Sequence, residues 1–209
     1  MIPVKVLAVR YLANASPALA KGLGAPAGMP SLGLLTTDCD DATYIALDAA
    51  TKAADVQVSY GRSFYAGAAN ASTPNAGEVI GILAAATPGA VRSGMEAALS
   101  ALERLGFEET HGVPFLAHTV ASVGSFLAKE AGVPVGSAIA YLIAPPLEGM
   151  YAMDAALKAA DVKLCKLYTP PSETNFGGGL LSGTQSACQA ACAAFAAAVA
   201  EVAKQPLEK

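Results

Sequence analysis

The sequence has no tryptophan and few charged residues, and both absences limit what it can be. Only 14% of its 209 residues are Asp, Glu, Lys or Arg, and the net charge is −4. No block of basic residues is interleaved with aromatic ones, so nucleic-acid binding is not predicted. A surface with so few charges predicts instead that partner molecules bury much of it.

Long apolar runs and reactive motifs are also missing. No strongly apolar stretch of about 18 residues occurs, so no membrane-spanning helix is predicted. The first residues, MIPVKVLAVRY, contain Lys5 and lack a cleavage site, and we interpret them as a strand rather than a signal peptide. The four cysteines form no C-x-x-C pair, which fits a reducing cytosol. The glycine-rich segments lack the strand–G-x-G-x-x-G–helix order of a nucleotide fold, and no cofactor is predicted.

What the sequence does contain is an internal repeat. The segment ALDAATKAADVQV, at Ala46–Val58, recurs as AMDAALKAADVKL, at Ala152–Leu164. A second pair, LAK-x-x-G, occurs at Leu19–Gly24 and at Leu127–Gly132. A repeat spaced by about half the chain predicts two copies of one domain, which we place at residues 1–106 and 107–209.

Each half is predicted to be a small α/β unit with a largely antiparallel sheet and helices packed beside it. The repeated segment reads as a helix with an exposed i,i+4 pair, Asp48–Lys52 in one copy and Asp154–Lys158 in the other. Cys188 and Cys192 fall on the apolar stripe of a last helix capped by Thr184. Two long loops, at residues 61–76 and 169–179, are predicted from their small and polar residues, and Gly177, Gly178 and Gly179 permit several backbone states there.

The densest charge cluster comprises Asp38, Asp40 and Asp41 around Cys39, at a predicted strand-to-helix junction. A single carboxylate would be sufficient to cap the helix, so caps and solvent exposure are one interpretation. The repeat places Ala144, Pro145, Pro146 and Leu147 at the corresponding positions, however, and a purely architectural need would be expected in both halves. Acidic groups around a small opening would attract a cation or an alkylammonium group.

The repeated motif D-A-x-x-K-A-A-D-V resembles the signature of bacterial microcompartment shell domains. The segments YGRSFYAGAANAST, AGEVIGIL, AYLIAPPLE and PPSETNF resemble the L-type shell proteins of ethanolamine-utilisation microcompartments. The resemblance implies two tandem, circularly permuted shell domains of ferredoxin-like α+β fold, and a homotrimer that imitates a hexamer. It also implies a place in the microcompartment shell within the cytoplasm, where Lys52 and Lys158 at the tile edge join other shell proteins.

The same resemblance implies a ligand site and a gate. In that family the matching residues bind ethanolamine in a small pore within each subunit, and the two long loops line a central pore that can open or close. Carboxylates beside a primary amine, and Thr or amide groups beside a hydroxyl, are suitable chemistry for this ligand. The implied ligand-binding residues are Asp40, Asp41, Glu78, Phe107, Thr174, Asn175 and Phe176.

Other interpretations remain open from the residues alone. A soluble trimeric sensor of small molecules would share the fold without forming sheets, and a shell tile of another compartment would keep the fold but change the ligand. Cys39 with His118 could form a thiol nucleophile and base, although nothing in the sequence brings them together. Carboxylates and imidazole could bind a metal ion, but their spacing is not diagnostic, so neither a catalytic nor a metal site is predicted. That metal interpretation would use His111, Glu108, Glu109 and the Asp38 cluster.

Overall fold

A computed structural model describes residues 1–64, 78–170 and 176–207. These residues form ten strands and six helices. The strands are β1 Ile2–Pro3, β2 Val6–Leu12, β3 Ser31–Thr37, β4 Gln57–Phe64, β5 Glu78–Ala85, β6 Gly106–Thr110, β7 Val113–Val120, β8 Ala138–Ala144, β9 Val162–Tyr168 and β10 Gly177–Gly183. The helices are α1 Pro17–Gly22, α2 Asp40–Ala53, α3 Pro88–Leu102, α4 Ser125–Ala131, α5 Pro146–Ala159 and α6 Gln185–Lys204.

The chain divides into two compact units. The N-terminal unit comprises residues 3–106 and 124–127, and the C-terminal unit comprises residues 1–2, 107–123 and 128–209. The predicted domain boundary between residues 106 and 107 stays a prediction. The units differ from that simple division because each includes a short segment from the other half of the chain.

The N-terminal unit contains a four-stranded sheet in the order β2-β3-β5-β4, with antiparallel neighbours. The central strands β3 and β5 are almost wholly buried, as their continuous apolar runs predict. Helices α2 and α3 pack against each other and against this sheet. Thr87 caps α3 by accepting a hydrogen bond from Ala90 N at 3.2 Å, and Pro88 occupies the first turn.

The C-terminal unit contains a six-stranded sheet in the order β1-β6-β7-β8-β10-β9. Strand β6 pairs with β7, β7 with β8, β8 with β10 and β10 with β9, and all four pairs are antiparallel. Helices α5 and α6 cover the core of this unit, and Cys188 and Cys192 of the predicted stripe are buried there, together with Phe195 and Val199. Cys188 and Cys192 are therefore core residues, as predicted.

Helix α6 is long and apolar enough to cross a membrane by length and composition, with 39% of its most apolar window buried. It packs against α5, β7 and β8. A core helix passes the same test, and the contacts of α6 are those of a core helix.

The predicted fold class, antiparallel sheets flanked by helices, is confirmed. Two loop predictions are wrong in part. Strand β4 continues to Phe64, and β10 begins at Gly177, so the ends of both predicted loops are strands. The predicted loop residues 65–76 and 171–175 lie outside the described residues. Strand β6 is not predicted by the sequence, because GFEET does not alternate apolar and polar residues.

Candidate functional site

The junction between β3 and α2 holds the acidic cluster. Helix α2 begins at Asp40, and its cap residue Cys39 makes no side-chain capping bond. Two buried threonines hold the Cys39 backbone instead: Cys39 N donates to Thr37 Oγ1 at 3.2 Å, and Thr43 Oγ1 donates to Cys39 O at 2.8 Å. Their hydroxyl oxygens lie 2.7 Å apart. This network fixes the first turn of α2 and leaves the carboxylates of Asp40 and Asp41 for other contacts.

Asp38 has a structural role in this cluster. Its Oδ1 accepts a hydrogen bond from Lys5 N at 2.8 Å, and its own N–H donates to Lys5 O at 3.1 Å. These bonds join the end of β3 to the residue before β2. Asp38 therefore stands apart in function from the two aspartates that follow it.

Asp40 is buried, with 4% of its surface exposed, and lies at the end of a hydrogen-bond chain. Ser63 Oγ donates to Asp40 Oδ2 at 2.6 Å, and the Tyr44 hydroxyl lies 2.8 Å from the same Ser63 oxygen. Burial raises the pKa of Asp40 from 3.8 to about 6, although the bonds from Ser63 and from Asp41 N oppose the shift. A carboxyl with this pKa is largely ionised at neutral pH and gains from a nearby cation.

Asp41 and Glu78 are buried close to the same end of the N-terminal sheet. Asp41 is 6% exposed in the first turn of α2, and Glu78 is 8% exposed as the first residue of β5. Thr37, at the end of β3, pairs with Val79, which follows Glu78. The predicted residues Asp40, Asp41 and Glu78 thus occupy one end of one unit.

The C-terminal unit has none of these three carboxylates at the equivalent positions. In the repeat alignment, Asp40 and Asp41 correspond to Pro146 and Leu147. The sheet register extends the comparison: Thr37 pairs with Val79, and its counterpart Ile143 pairs with Gly178, so Glu78 corresponds to Gly177. Burying three carboxylates costs free energy in the N-terminal unit that the C-terminal unit avoids. The fold alone therefore does not require them.

Two further predicted residues meet in the C-terminal unit. Phe107, which is fully buried, and Phe176 pack with ring centroids 5.9 Å apart and an angle of 56° between their planes. Thr174 and Asn175 lie outside the described residues.

The three predicted loop glycines have a different role from the one expected. Gly177, Gly178 and Gly179 lie in β10 and pair with β8. Gly178 has φ +154°, and a Cβ there would lie 1.9 Å from Leu142 O. Glycine is needed at this position because the backbones approach closely, so the prediction of free backbone states is wrong.

The predicted exposed charge pairs also differ from each other. Lys158 Nζ lies 2.6 Å from Asp154 Oδ2, and both side chains are well exposed, as predicted. Lys52 Nζ lies 3.4 Å from Asp48 Oδ2, but the Asp48 side chain is fully buried, so the prediction of an exposed face is wrong there. Asp48 accepts hydrogen bonds from Gly124 N at 2.7 Å and Leu127 N at 2.9 Å, within the same unit. The role of Lys52 and Lys158 at a tile edge stays a prediction.

The alternative chemistries gain no support. Burial, and then the charges of Asp41 and Asp40, raise the pKa of the Cys39 thiol well above 9.0, which disfavours a thiolate nucleophile. Among the residues that the structure describes, no three His, Cys, Asp or Glu side chains are grouped to hold a metal ion. Glu108 and Glu109 lie in β6, and His111 forms the β6–β7 turn with φ +49°.

Sequence reasoning misses Ser63 and Tyr44. The sequence predicts a loop at Ser63. In the structure Ser63 lies on β4, and from there its hydroxyl donates to Asp40 at the start of α2. The segment QVSYGRSF offers a weak signal, since it is rich in residues that favour strands. Tyr44 stands one helical turn after Asp40, so its spacing could have indicated a shared face.

The BMC domain family matches residues 31–115. The chain is 56% identical to the bacterial microcompartment shell protein EutL of Clostridium perfringens, over 99% of this chain and 97% of that protein. It is 46% identical to EutL of Escherichia coli K12, over 100% of this chain and 97% of that protein. The crystal structure of the ethanolamine utilization protein EutL from Leptotrichia buccalis has a TM-score of 0.93 at 56% identity, and the match covers 100% of this chain and 98% of that one.

Proposed function

The chain belongs to the bacterial microcompartment shell proteins of the EutL kind, and from this premise we propose that it forms a homotrimeric, pseudohexameric tile that binds ethanolamine-like amines. Its role in an ethanolamine-utilisation microcompartment is structural, and it lies in the shell, within the cytoplasm, among other shell proteins. The family is structural rather than catalytic.

The observation that carries the ligand proposal is the difference between the two units. Asp40, Asp41 and Glu78 are buried at one end of the N-terminal sheet, while their counterparts Pro146, Leu147 and Gly177 carry no charge. A primary ammonium group donates up to three hydrogen bonds and offsets the cost of buried carboxylates. A small amine is therefore a better match than a neutral or anionic ligand.

The remaining ligand residues are part of the proposal. Phe107 and Phe176 form an aromatic pair in the C-terminal unit, and the resemblance assigns Thr174 and Asn175 to polar contacts with the hydroxyl group. The proposal also includes a central pore gated by the two long loops. Gating would follow from a ligand that binds the open and closed states unequally. The support for the pore is the resemblance alone.

Calorimetric titration with ethanolamine tests the ligand site. We expect binding by the parent protein and at least about a tenfold loss in Asp41→Asn, because one charge-assisted hydrogen bond contributes roughly 1.5–3 kcal/mol. Asp38→Asn is the matched control, since Asp38 bonds the Lys5 backbone instead. Propan-1-ol, which lacks the ammonium group, should not bind. Unchanged affinity in Asp41→Asn would remove Asp41 from the site, and no binding by the parent would favour a compartment with another substrate.

Sedimentation velocity and electron microscopy test the tile. We expect a trimer and flat hexagonal outlines, and we expect sheets to be lost in the double variant Lys52→Ala with Lys158→Ala. A trimer that never forms sheets would favour the alternative, a soluble sensor of small molecules. Sheets that persist in the double variant would contradict the edge role of the two lysines.

A further inference from the structure

The signature helices α2 and α5 are equal in length but differ in what covers them. Four positions one turn apart form an outer stripe on each helix. On α2, three of the four stripe residues are buried and the Lys52 side chain is 38% exposed, whereas all four are exposed on α5. The stripe is Asp41, Ile45, Asp48 and Lys52 on α2, and Leu147, Tyr151, Asp154 and Lys158 on α5.

A short segment of the chain contacts α2 at Asp48 of the stripe and at Tyr44 and Thr51 beside it. The Asp48 carboxylate accepts hydrogen bonds from Gly124 N and Leu127 N, and Thr51 Oγ1 accepts one from Ser125 N at 3.1 Å. Tyr44 and Phe126 add a ring contact, with centroids 6.0 Å apart. The segment Gly124–Leu127 belongs to the N-terminal unit, although it begins α4 of the second half of the chain.

The first half of the chain contains a counterpart of this segment. The LAK-x-x-G repeat aligns Leu19 with Leu127, so residues 16–19 correspond to residues 124–127. Leu127 is fully buried, whereas Leu19 is 45% exposed. Ser16, Pro17 and Ala18 are exposed as well. The chain thus carries one segment docked on a stripe, one exposed segment and one exposed stripe.

The exposed segment and the exposed stripe differ from their docked counterparts in matched ways. Ser125 N donates to Thr51 in the docked pair; Pro17 has no N–H to donate, and Leu157, the counterpart of Thr51, has no side-chain acceptor. Phe126 packs on Tyr44 in the docked pair, whereas their counterparts Ala18 and Met150 both lack an aromatic ring. The exposed segment thus lacks the N–H donor at the same position where the exposed helix lacks the acceptor. Such matched losses are expected if the two surfaces contact each other.

We propose that residues 16–19 of one copy dock on the α5 stripe of a second copy, where the Asp154 carboxylate accepts hydrogen bonds from the backbone N–H groups of Ser16 and Leu19. In the single chain Leu19 N donates a long bond of 3.4 Å to Ser16 Oγ, and docking exchanges that acceptor for Asp154. Because the segment and the stripe are different surfaces, the contact is head-to-tail, and three copies close it into a ring. A Cβ on Gly124 would lie 2.7 Å from Asp48 O, so Ser16, which carries a Cβ, sits further from α5 than Gly124 sits from α2. The inference rests on the proposed trimer and assigns its interface.

Cysteine cross-linking tests the contact in the full-length chain. Pro17→Cys and Leu157→Cys are made separately, each with Cys165→Ser, which removes the half-exposed native thiol. After the two single variants are mixed and oxidised, we expect a disulfide-linked dimer on a non-reducing gel. A chain that carries both Pro17→Cys and Leu157→Cys should give three chains linked to one another. Thr51→Cys with Ser125→Cys is the positive control, because that pair should close within one chain.

Ala159→Cys mixed with Pro17→Cys is the matched control, since Ala159 is exposed on α5 but, unlike Leu157, is not the counterpart of Thr51, which contacts the docked segment. Equal cross-linking at Ala159 and Leu157, or none at Leu157 in a protein that sediments as a trimer, would overturn the docking while leaving the trimer in place. A parent protein that sediments as a monomer would overturn the trimer and the docking together. Asp154→Asn should weaken trimer association at least tenfold, and unchanged association would remove Asp154 from the contact.

Discussion

The two signature helices share their charge pair, yet the pair has a different task in each unit. On α5, Asp154 and Lys158 form an exposed ion pair, and such pairs contribute little stability. On α2, the Asp48 carboxylate is fully buried and holds two backbone N–H groups of a packed segment. A repeat in the sequence therefore shows that two positions are equivalent in the fold, but not that they are equivalent in energy.

The same lesson applies to the ends of the two sheets. In the N-terminal unit this end carries buried carboxylates, and in the C-terminal unit it carries proline, leucine and glycine. One copy keeps buried carboxylates at the expense of stability, and the other carries uncharged residues at the same positions. Each prediction below changes one residue and compares the result with its counterpart.

The largest effect is expected at Gly178, the counterpart of Val79. Gly178→Ala places a Cβ against Leu142 O and imposes a side chain at φ +154°. We expect a loss of about 3–5 kcal/mol in the free energy of unfolding, from overpacking and backbone strain together. Urea denaturation measures it.

Gly112→Ala is the control for this variant. Gly112 has φ +81°, and among the described residues no neighbouring atom lies within 4 Å of the position that a Cβ would take. The variant therefore reports backbone strain alone, about 1–3 kcal/mol. Equal losses in both variants would show that the close approach of β10 to β8 contributes nothing.

A smaller effect is expected at Asp48. Asp48→Ala leaves the N–H groups of Gly124 and Leu127 without their acceptor, and each buried donor costs roughly 1–3 kcal/mol. We expect a loss of roughly 2–4 kcal/mol in urea denaturation. Asp154→Ala, measured at a concentration where the chain is monomeric, should cost less than about 0.5 kcal/mol. Similar losses in the two variants would contradict the difference between the helices.

How much the sequence predicts depends on how local the cause is. The cap at Thr184 and the apolar stripe of Cys188 and Cys192 follow from nearby residues, and the structure confirms them. The acidic cluster is recognisable because the repeat exposes its asymmetry. The burial of Asp48 is not predictable in this way, because its partners lie more than 70 residues away in the chain and no local pattern encodes such a contact.

Ser63 shows the same limit within the site. Its bond to Asp40 depends on β4 extending beside β5, which places Ser63 opposite Val79. A composition rich in small and polar residues predicts a loop there, whereas pairing with a buried neighbour extends the strand. Pairing between strands is a tertiary effect, so the sequence names the carboxylates but not the hydroxyl that orients one of them.

The smallest effect is expected from the pH dependence of stability at Asp40. Its pKa is about 6 in the folded protein and 3.8 as the ordinary value, so the folded state binds more protons between these values, and stability falls as pH rises. From pH 5 to pH 7.5 this group alone should lower the free energy of unfolding by about 1.4 kcal/mol. Asp40→Asn removes the titration and makes this position uncharged, like its counterpart Pro146. The difference in unfolding free energy between parent and variant should therefore change by that amount between the two pH values and stay constant above pH 7.5. A difference that does not vary with pH would show that Asp40 is not held at a raised pKa, and the N-terminal unit would then carry no energetic cost for this carboxylate.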